Sequence, residues 1–170
     1  MILVGIGSNL AAAGFGSPQD TANAALRELP TIGVAVVRCS RWYLSEPVPP
    51  SDQPWYVNAV ALVETRLAPL ALLTALLRLE ARFGRRRGVP NAARTLDLDL
   101  LDYDGRQSKT RRLTLPHPRL HERRFVLTPL AELAPRWRHP QLAKTASELL
   151  RHLPPGQPIC AFSDRLTGSR

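Results

Sequence analysis

The chain has very little cysteine, since Cys39 and Cys160 are the only two among its 170 residues. They lie far apart, and neither has a cysteine or histidine neighbour at the spacing of a metal site. These features exclude a disulfide-rich scaffold and a zinc site built on a local cysteine motif. We therefore expect both thiols to be free.

Long hydrophobic runs are also absent, and no apolar stretch approaches the roughly 20 residues of a membrane span. The N-terminal MILVGIGSNL has neither a basic leader nor a small-residue cleavage site, and its pattern predicts a strand. We therefore expect a cytoplasmic protein with no membrane partner. With 170 residues, 44% of them hydrophobic, the chain is expected to form one domain over 1–160 followed by a frayed tail over 161–170.

Acidic residues are scarce relative to basic ones, 14 against 23, and the formal net charge is +9. A basic surface favours phosphate-bearing ligands, nucleic acid included, because arginine pairs well with phosphate and binding releases counterions. Lys109 and Lys144 are the only lysines, and many of the arginines flank one acidic segment at 94–101. That clustering favours a compact polyphosphate bound together with metal. The arginines concerned are Arg82, Arg85, Arg86, Arg87 and Arg94 in the first group, and Arg111, Arg112, Arg119, Arg123 and Arg124 in the second.

The acidic segment reads RTLDLDLL and alternates strictly between leucine and polar residues over its middle part. This predicts a strand with leucines on one face and the carboxylates of Asp97 and Asp99 on the other. Residues two apart on a strand lie roughly 6.5–7 Å apart, so these carboxylates could hold two magnesium ions about 3.5–4 Å apart. Arg94 could contact a phosphate there. By itself, however, such a pattern more often marks the solvated face of an amphipathic strand.

The rest of the chain mixes strand and helix patterns without the regular alternation of a doubly wound sheet. We predict an α+β sandwich in which helices pack on an antiparallel sheet. Strands 31–43 and 56–64 are expected to pair antiparallel across a proline-rich loop, and the signals after 153 are weak. The predicted strands cover 1–6, 31–43, 56–64 and 94–101, and the predicted helices cover 18–29, 69–84, 122–133 and 143–153.

Three segments resemble known binding motifs, but each lacks a residue or a conformation that its motif requires. The glycine pair after the first strand lacks the third glycine of a dinucleotide site, because Leu10 stands at its position. The segment 105–110 has Ser108 where a phosphate-binding loop requires glycine. His117 and His121 have the spacing of a helical zinc pair, but prolines on both sides of His117 prevent a helix.

Other residues allow two interpretations each. His117 could donate to a phosphate oxygen or be an ordinary loop histidine. Tyr56 and Asn58 share one strand face, where they could bind a flat heteroaromatic ligand or serve as a core aromatic and a strand-end amide. Glu80 and Arg85, considered alone, fit the solvated charged face of a helix end.

Taken together, five segments in order resemble the 6-hydroxymethyl-7,8-dihydropterin pyrophosphokinase family, whose members transfer a pyrophosphoryl group from ATP to a pterin alcohol in the folate pathway. The resemblance spans nearly the whole chain, and RTLDLD is its most specific segment. It implies a ferredoxin-like α+β fold. The segments are GSNL at 7–10, QPWYVN at 53–58, Glu80 with Gly84 and Arg85, RTLDLD at 94–99, and LTLPH at 113–117 followed by Arg123 and Phe125.

The resemblance also implies residue roles. Asp97 and Asp99 would hold two Mg²⁺ ions that bridge the phosphates of the co-substrate ATP, and the catalytic set would be these two with Arg85 and Arg94. The protein would act on small molecules as a monomer, with no nucleic-acid partner. The ATP-binding positions would be Arg85, Arg94, Leu100, Arg112, Thr114, His117 and Arg123. The pterin-binding positions would be Ser45, Val48, Tyr56, Asn58 and Phe125.

The chain departs from many relatives in two places. It reads PNAA at 90–93, where relatives often carry a tryptophan, and Leu77 replaces a frequent glutamine. Loops over 11–16, 48–53 and 86–93 are predicted to close over ATP.

Two rival hypotheses remain. A non-catalytic ferredoxin-like nucleic-acid-binding module would explain the charge. It does not explain Asp97 and Asp99, because carboxylates in a binding face repel phosphate unless metal is present. The other rival is a degenerate family member that binds pterin without turnover.

Overall fold

The computed structural model describes residues 1–85 and 92–162. Strands and helices are mixed along the chain, as predicted, and single 3₁₀ turns occur at Leu29–Ile32 and Leu120–Glu122. The strands are β1 (Ile2–Ser8), β2 (Val34–Cys39), β3 (Tyr43–Ser45), β4 (Tyr56–Thr65), β5 (Asp97–Tyr103), β6 (Ser108–Lys109), β7 (Thr114–Leu115) and β8 (Ile159–Ala161). The helices are α1 (Pro18–Glu28), α2 (Pro69–Arg82), α3 (Arg124–Leu133) and α4 (Ala146–His152).

The main sheet has the strand order β5-β1-β4-β3-β8, and β2 pairs with β4 next to β3. The pairings are antiparallel, including the predicted pairing of β2 with β4. Strands β6 and β7 form a separate two-stranded ribbon. This architecture confirms the predicted ferredoxin-like α+β sandwich with an antiparallel sheet.

The central strand β1 is buried along its whole length and divides the core into two halves. Its residues Val4 and Ile6 pack with α1 and α2 on one face of the sheet. Leu3 packs with α3 and α4 on the other face. Side chains alternate between the faces of a strand, so Gly5 and Gly7 lie on the same face as Leu3. The cavity described below opens on this second face.

Two predictions about the strands were wrong. The segment 31–43 does not form one continuous strand, because a 3₁₀ turn precedes β2 and an irregular segment separates β2 from β3. At the break, Ser40 N donates to Val60 O at 2.9 Å, and the Ser40 hydroxyl accepts from Val60 N at 3.0 Å where a backbone carbonyl would accept in a regular strand pair. A strand also follows Leu153, namely β8, although the weak signals there predicted none. Of the predicted tail over 161–170, residues 163–170 lie outside the described ranges.

The structure also bears on the cysteines and on the presence of a membrane-spanning helix. Both cysteines are free, as predicted. Within residues 1–85 and 92–162, no helix is both long enough and apolar enough to cross a bilayer.

Candidate active site

The floor of the candidate site is formed by the neighbouring strands β4, β1 and β5. Gly7 on β1 pairs with Asn58 on one side and with Asp97 on the other, while Gly5 pairs with Asp99. A Cβ atom on Gly7 would lie only 3.3 Å from Asn58 Oδ1. Glycine therefore leaves open the space between an amide on β4 and the carboxylates on β5.

A cavity of about 740 Å³ lies over this floor. Its walls come from the segment after β3, the beginning of β4, the chain on either side of 86–91 and the beginning of α3. The structure thus brings together in one cavity most residues that the sequence nominated for pterin and for phosphate. These lining residues are Ser45, Val48, Tyr56, Asn58, Arg85, Arg94, Asp97, Asp99, Arg123 and Phe125.

The two β5 carboxylates that line the cavity, Asp97 and Asp99, are each paired with basic side chains. Asp97 accepts hydrogen bonds from Arg85 Nη1 and from Arg94 Nη1, the second at 2.9 Å. Asp99 receives Arg123 Nη1 at 3.1 Å, and His117 Nε2 lies 3.8 Å from the same carboxylate oxygen. The predicted alternation is confirmed, because Asp97 and Asp99 line the cavity while the leucines between and after them are buried in the core.

Glu80 holds Arg85 in place from the end of α2. Gly84 adopts a left-handed conformation with φ of 77°, which lets the chain leave the helix. The Glu80 side chain is 2% exposed, contacts Arg85 Nη1 and accepts a hydrogen bond from Leu98 N at 2.7 Å. Interpreting Glu80 and Arg85 as a solvated helix face was therefore wrong. The reason is that β5 returns beside the helix end and buries the pair.

Two arginines of the cavity lie close to its aromatic rings. The Arg94 guanidinium lies 5.9 Å from the ring centroid of Tyr56. The Arg123 guanidinium lies 5.5 Å from the ring centroid of Phe125. Cation–π contact of this kind helps to fix both partners, so the flat apolar part of the cavity directly adjoins its basic part.

The electrostatics of the cavity follow from burial and from these pairings. Burial lowers the pKa of His117, and the positive charges of Arg123 and Arg119 lower it further against the opposing effect of Asp99. Burial likewise lowers the pKa of Arg123, and Asp99 opposes the shift. Burial disfavours charge on Arg94, but Asp97 and Tyr56 together outweigh it and the pKa of Arg94 is raised. The burial of His117 and Arg123 is therefore only partly compensated by Asp99, and an anionic ligand would favour the charged form of both.

Several nominated residues do not line this cavity in the described part of the chain. The Leu100 side chain belongs to the core on the opposite face of the sheet. Arg112 is exposed beside the β6–β7 ribbon, and Thr114 lies within that ribbon. His117 reaches the site only through its contact with Asp99. Asn91 and most of the predicted 86–93 loop lie outside the described residues.

The two carboxylates can be tested as magnesium ligands by their chemistry. In the described ranges, no group of three or more His, Cys, Asp and Glu side chains is arranged to hold a metal ion. Mg²⁺, however, takes only one or two carboxylates, keeps several waters and completes its octahedral shell with substrate phosphates. Asp97 and Asp99 are oxygen donors on one strand face, with side chains 23% and 32% exposed. Their chemistry fits magnesium bound jointly with a polyphosphate.

A second, larger groove of about 920 Å³ lies elsewhere on the molecule, at the end of the sheet that includes Met1, Val37 and Leu67. It is lined mainly by aliphatic side chains and has neither the aromatic rings nor the paired carboxylates of the first cavity. Size therefore does not identify the functional site here, whereas the converging polar groups do.

Asn9 was not predicted as a site residue, although it belongs to the GSNL segment. Its side chain is 1% exposed and joins two walls of the cavity. Asn9 Oδ1 accepts a hydrogen bond from Arg94 N at 2.7 Å, and Asn9 Nδ2 donates to Pro54 O at 3.1 Å. An asparagine directly after a buried strand is the only local signal, and that signal does not reveal its partners.

Comparison with known proteins agrees with this geometry. The sequence model of a family described as 7,8-dihydro-6-hydroxymethylpterin-pyrophosphokinase (HPPK) matches residues 3–135. The chain belongs to this family. The HPPK match covers β4, β5 and all of β1 but its first residue, which are the strands of the cavity floor, and it ends before α4 and β8.

Individual relatives extend the similarity. The chain is 42% identical over 152 residues to a 2-amino-4-hydroxy-6-hydroxymethyldihydropteridine pyrophosphokinase of Synechocystis, covering 89% of this chain and 75% of the relative. It is 40% identical over 173 residues to the protein of that name in Pseudomonas aeruginosa, covering 99% of this chain and 98% of the relative. A mitochondrial folate synthesis bifunctional protein of Arabidopsis thaliana is 37% identical over 132 residues, covering 78% of this chain and 23% of that longer protein.

Proposed function

We propose that this protein transfers pyrophosphate from ATP to 6-hydroxymethyl-7,8-dihydropterin in folate synthesis, yielding AMP and the pterin diphosphate. One observation carries the proposal. A single cavity combines two carboxylates on one strand face, arginines that reach both of them, and an aromatic and amide wall. HPPK family membership and the names of the relatives support the same activity.

The apolar part of the cavity is the proposed pterin site. Tyr56 and Phe125 would sandwich the ring, and Asn58 would bind its polar edge because an amide offers both a donor and an acceptor. Asn58 is 5% exposed, and its Nδ2 donates to Ser45 Oγ at 2.9 Å, which fixes the orientation of the amide. Backbone groups near Ser45 and Val48 would complete this site.

The basic part of the cavity is the proposed triphosphate site. Arg85, Arg94, His117 and Arg123 would contact the phosphates, since guanidinium groups bind phosphate oxygens in pairs. The three arginines lie against Asp97 and Asp99, which compensate part of the cost of burying their charges. The family resemblance adds Leu100, Arg112 and Thr114 as nucleotide contacts.

Asp97 and Asp99 are the residues we expect to hold Mg²⁺, two ions in all. When bound, magnesium would neutralise phosphate charge and orient the triphosphate for in-line attack. Both carboxylates would then exchange arginine partners for metal, and the released guanidinium groups would face the phosphates directly.

In the proposed reaction, the hydroxymethyl oxygen of the pterin attacks the β-phosphorus of ATP. The bond between that phosphorus and the oxygen shared with the α-phosphate breaks, AMP leaves, and the hydroxyl proton passes to solvent. The protein contributes mainly orientation and charge neutralisation, as is usual for phosphoryl transfer. Arg85 and Arg94 flank Asp97 and are best placed to stabilise the charge that develops on the transferred group.

The rival nucleic-acid-binding module is not favoured. Its aromatic and basic residues would have to bind a nucleic acid beside two carboxylates at the cavity floor. We further propose that the protein acts as a monomer without a nucleic-acid partner. Two free cysteines are also in keeping with the reducing cytoplasm, where we expect the protein to act.

The test is to compare the variants Asp97→Ala and Asp99→Ala with the wild type in pterin-dependent AMP formation. We expect either variant to lose about 10³-fold or more in turnover while its thermal unfolding stays cooperative. Glu64→Ala is the control, because Glu64 is an exposed carboxylate on β4 of the same sheet and lies outside the cavity. Wild-type turnover in either cavity variant would refute the assignment of these carboxylates.

A further inference from the structure

The C-terminal segment lies beyond the part of the chain matched by the HPPK family model, yet it contributes to the cavity wall. Strand β8 pairs antiparallel with β3, and Ser45 pairs with Ile159 at the end nearest the cavity. At the other end, Phe162 N donates to Trp42 O at 2.8 Å. The segment thereby extends the main sheet beside the proposed pterin site.

The hydrogen bonds continue past β8 onto the segment after β3. Glu46 N donates to Pro158 O at 3.2 Å, and Gln157 Nε2 donates to Glu46 O at 2.8 Å. The C-terminal segment therefore binds both backbone groups of Glu46. Gln157 is itself one of the residues that line the cavity.

The position of Glu46 makes these bonds important for the shape of the wall. The pairing of β3 with β4 ends at Ser45, opposite Tyr56. The chain beyond is rich in proline, with Pro47 next to Glu46, and proline has no N–H to donate to a neighbouring strand. Glu46 is thus the last residue through which backbone hydrogen bonds can anchor the wall before this proline-rich stretch.

We propose that Gln157 is a positioning residue for the pterin site. Its side-chain amide holds the Glu46 carbonyl, which fixes the backbone of Ser45 and Pro47 and, through the Ser45 hydroxyl, the amide of Asn58. This inference rests on the proposed function. It predicts an effect on pterin binding and not on the triphosphate, because Gln157 donates to the carbonyl of Glu46, next to Ser45, and not to an arginine–carboxylate pair.

The experiment measures kcat and both KM values for Gln157→Ala and Gln157→Glu in the full-length protein. We expect Gln157→Ala to raise KM for the pterin roughly five-fold, the effect of losing one neutral hydrogen bond. Gln157→Glu should raise it further, because a carboxylate would face the Glu46 carbonyl. KM for ATP and kcat should change by less than about two-fold. Gln141→Glu is the matched control, since Gln141 is exposed and does not line the cavity.

The outcomes separate this inference from the function on which it rests. Unchanged KM for the pterin in both variants, or an equal rise for pterin and ATP, would overturn the positioning role while wild-type turnover upholds the function. A lower unfolding temperature with unchanged KM would reduce Gln157 to a stabilising residue and overturn the role as well. Absence of pterin-dependent AMP from the wild type would overturn the proposed function and this inference together.

Discussion

Replacing Glu80 offers the sharpest test of how the site is supported. Glu80→Ala would leave the buried Leu98 N–H without the acceptor that now lies 2.7 Å away, at a cost of about 1–3 kcal/mol. It would also remove one of the two carboxylates that Arg85 contacts. Breaking a buried ion pair outright costs about 3–5 kcal/mol. Because Arg85 keeps Asp97 as a partner, we expect a total loss near the lower end, about 3 kcal/mol.

Two further variants separate the contributions. Glu80→Gln keeps an oxygen for Leu98 N but loses the charge, so we expect a loss of about 1–2 kcal/mol in the free energy of unfolding. Glu28→Gln is the matched control, since Glu28 of α1 pairs at 2.9 Å with Arg82 of α2, the helix that carries Glu80, and the two side chains are 38% and 55% exposed. An exposed pair of this kind contributes less than about 1 kcal/mol.

The assay is equilibrium unfolding in urea, monitored by circular dichroism and analysed as a two-state transition. We expect the loss of stability to decrease in the order Glu80→Ala, Glu80→Gln, Glu28→Gln. If Glu80→Ala lost no more stability than the Glu28 control, Glu80 would not be a buried support of Arg85. The account of how α2 positions the arginine would then be wrong.

Two other predictions concern the cavity floor and the pH dependence of stability. Gly7→Ala places a Cβ 3.3 Å from Asn58 Oδ1 and should raise KM for the pterin roughly ten-fold in steady-state kinetics. In Gly5→Ala the new Cβ makes only an ordinary contact with the Leu101 side chain, so KM for the pterin should change by less than about two-fold. Equal effects of the two variants would argue against Asn58 as a pterin contact. Burial, aided by the charge of His121, lowers the pKa of His139 below its ordinary 6.5 in the folded protein. The contribution of neutral His139 to the free energy of unfolding is therefore complete above pH 6.5 and is lost as the pH falls through the lowered pKa. His139→Gln should reduce the loss in unfolding temperature between about pH 7 and about pH 5, and an undiminished loss would show that other groups cause it.

The placement of the two cavity carboxylates could be predicted from sequence because it depends on the local alternation of leucine and aspartate along one strand. The pattern around Asp97 and Asp99 fixes which side chains share a strand face, and the structure bears this out. The α+β class followed in the same way from the mixture of strand and helix periods. Family resemblance supplied what alternation cannot, namely which distant segments meet.

The errors arose where a tertiary partner decides the local structure. Glu80 looks like a solvated helix residue until β5 lies beside it and supplies Leu98 N as a partner. Strand β8 has only three residues, and its pairing with β3 defines it. The break near Ser40 depends on a hydroxyl that bonds to the neighbouring strand, which a strand pattern does not encode.

Product analysis shows whether the protein transfers a pyrophosphoryl group to a pterin. Purified wild-type protein would be incubated with ATP, Mg²⁺ and 6-hydroxymethyl-7,8-dihydropterin, and the nucleotides would be separated and quantified with and without the pterin. The account predicts AMP that forms only with the pterin, in equal amount to the pterin diphosphate. ADP as the product, or no nucleotide product at all, would contradict it.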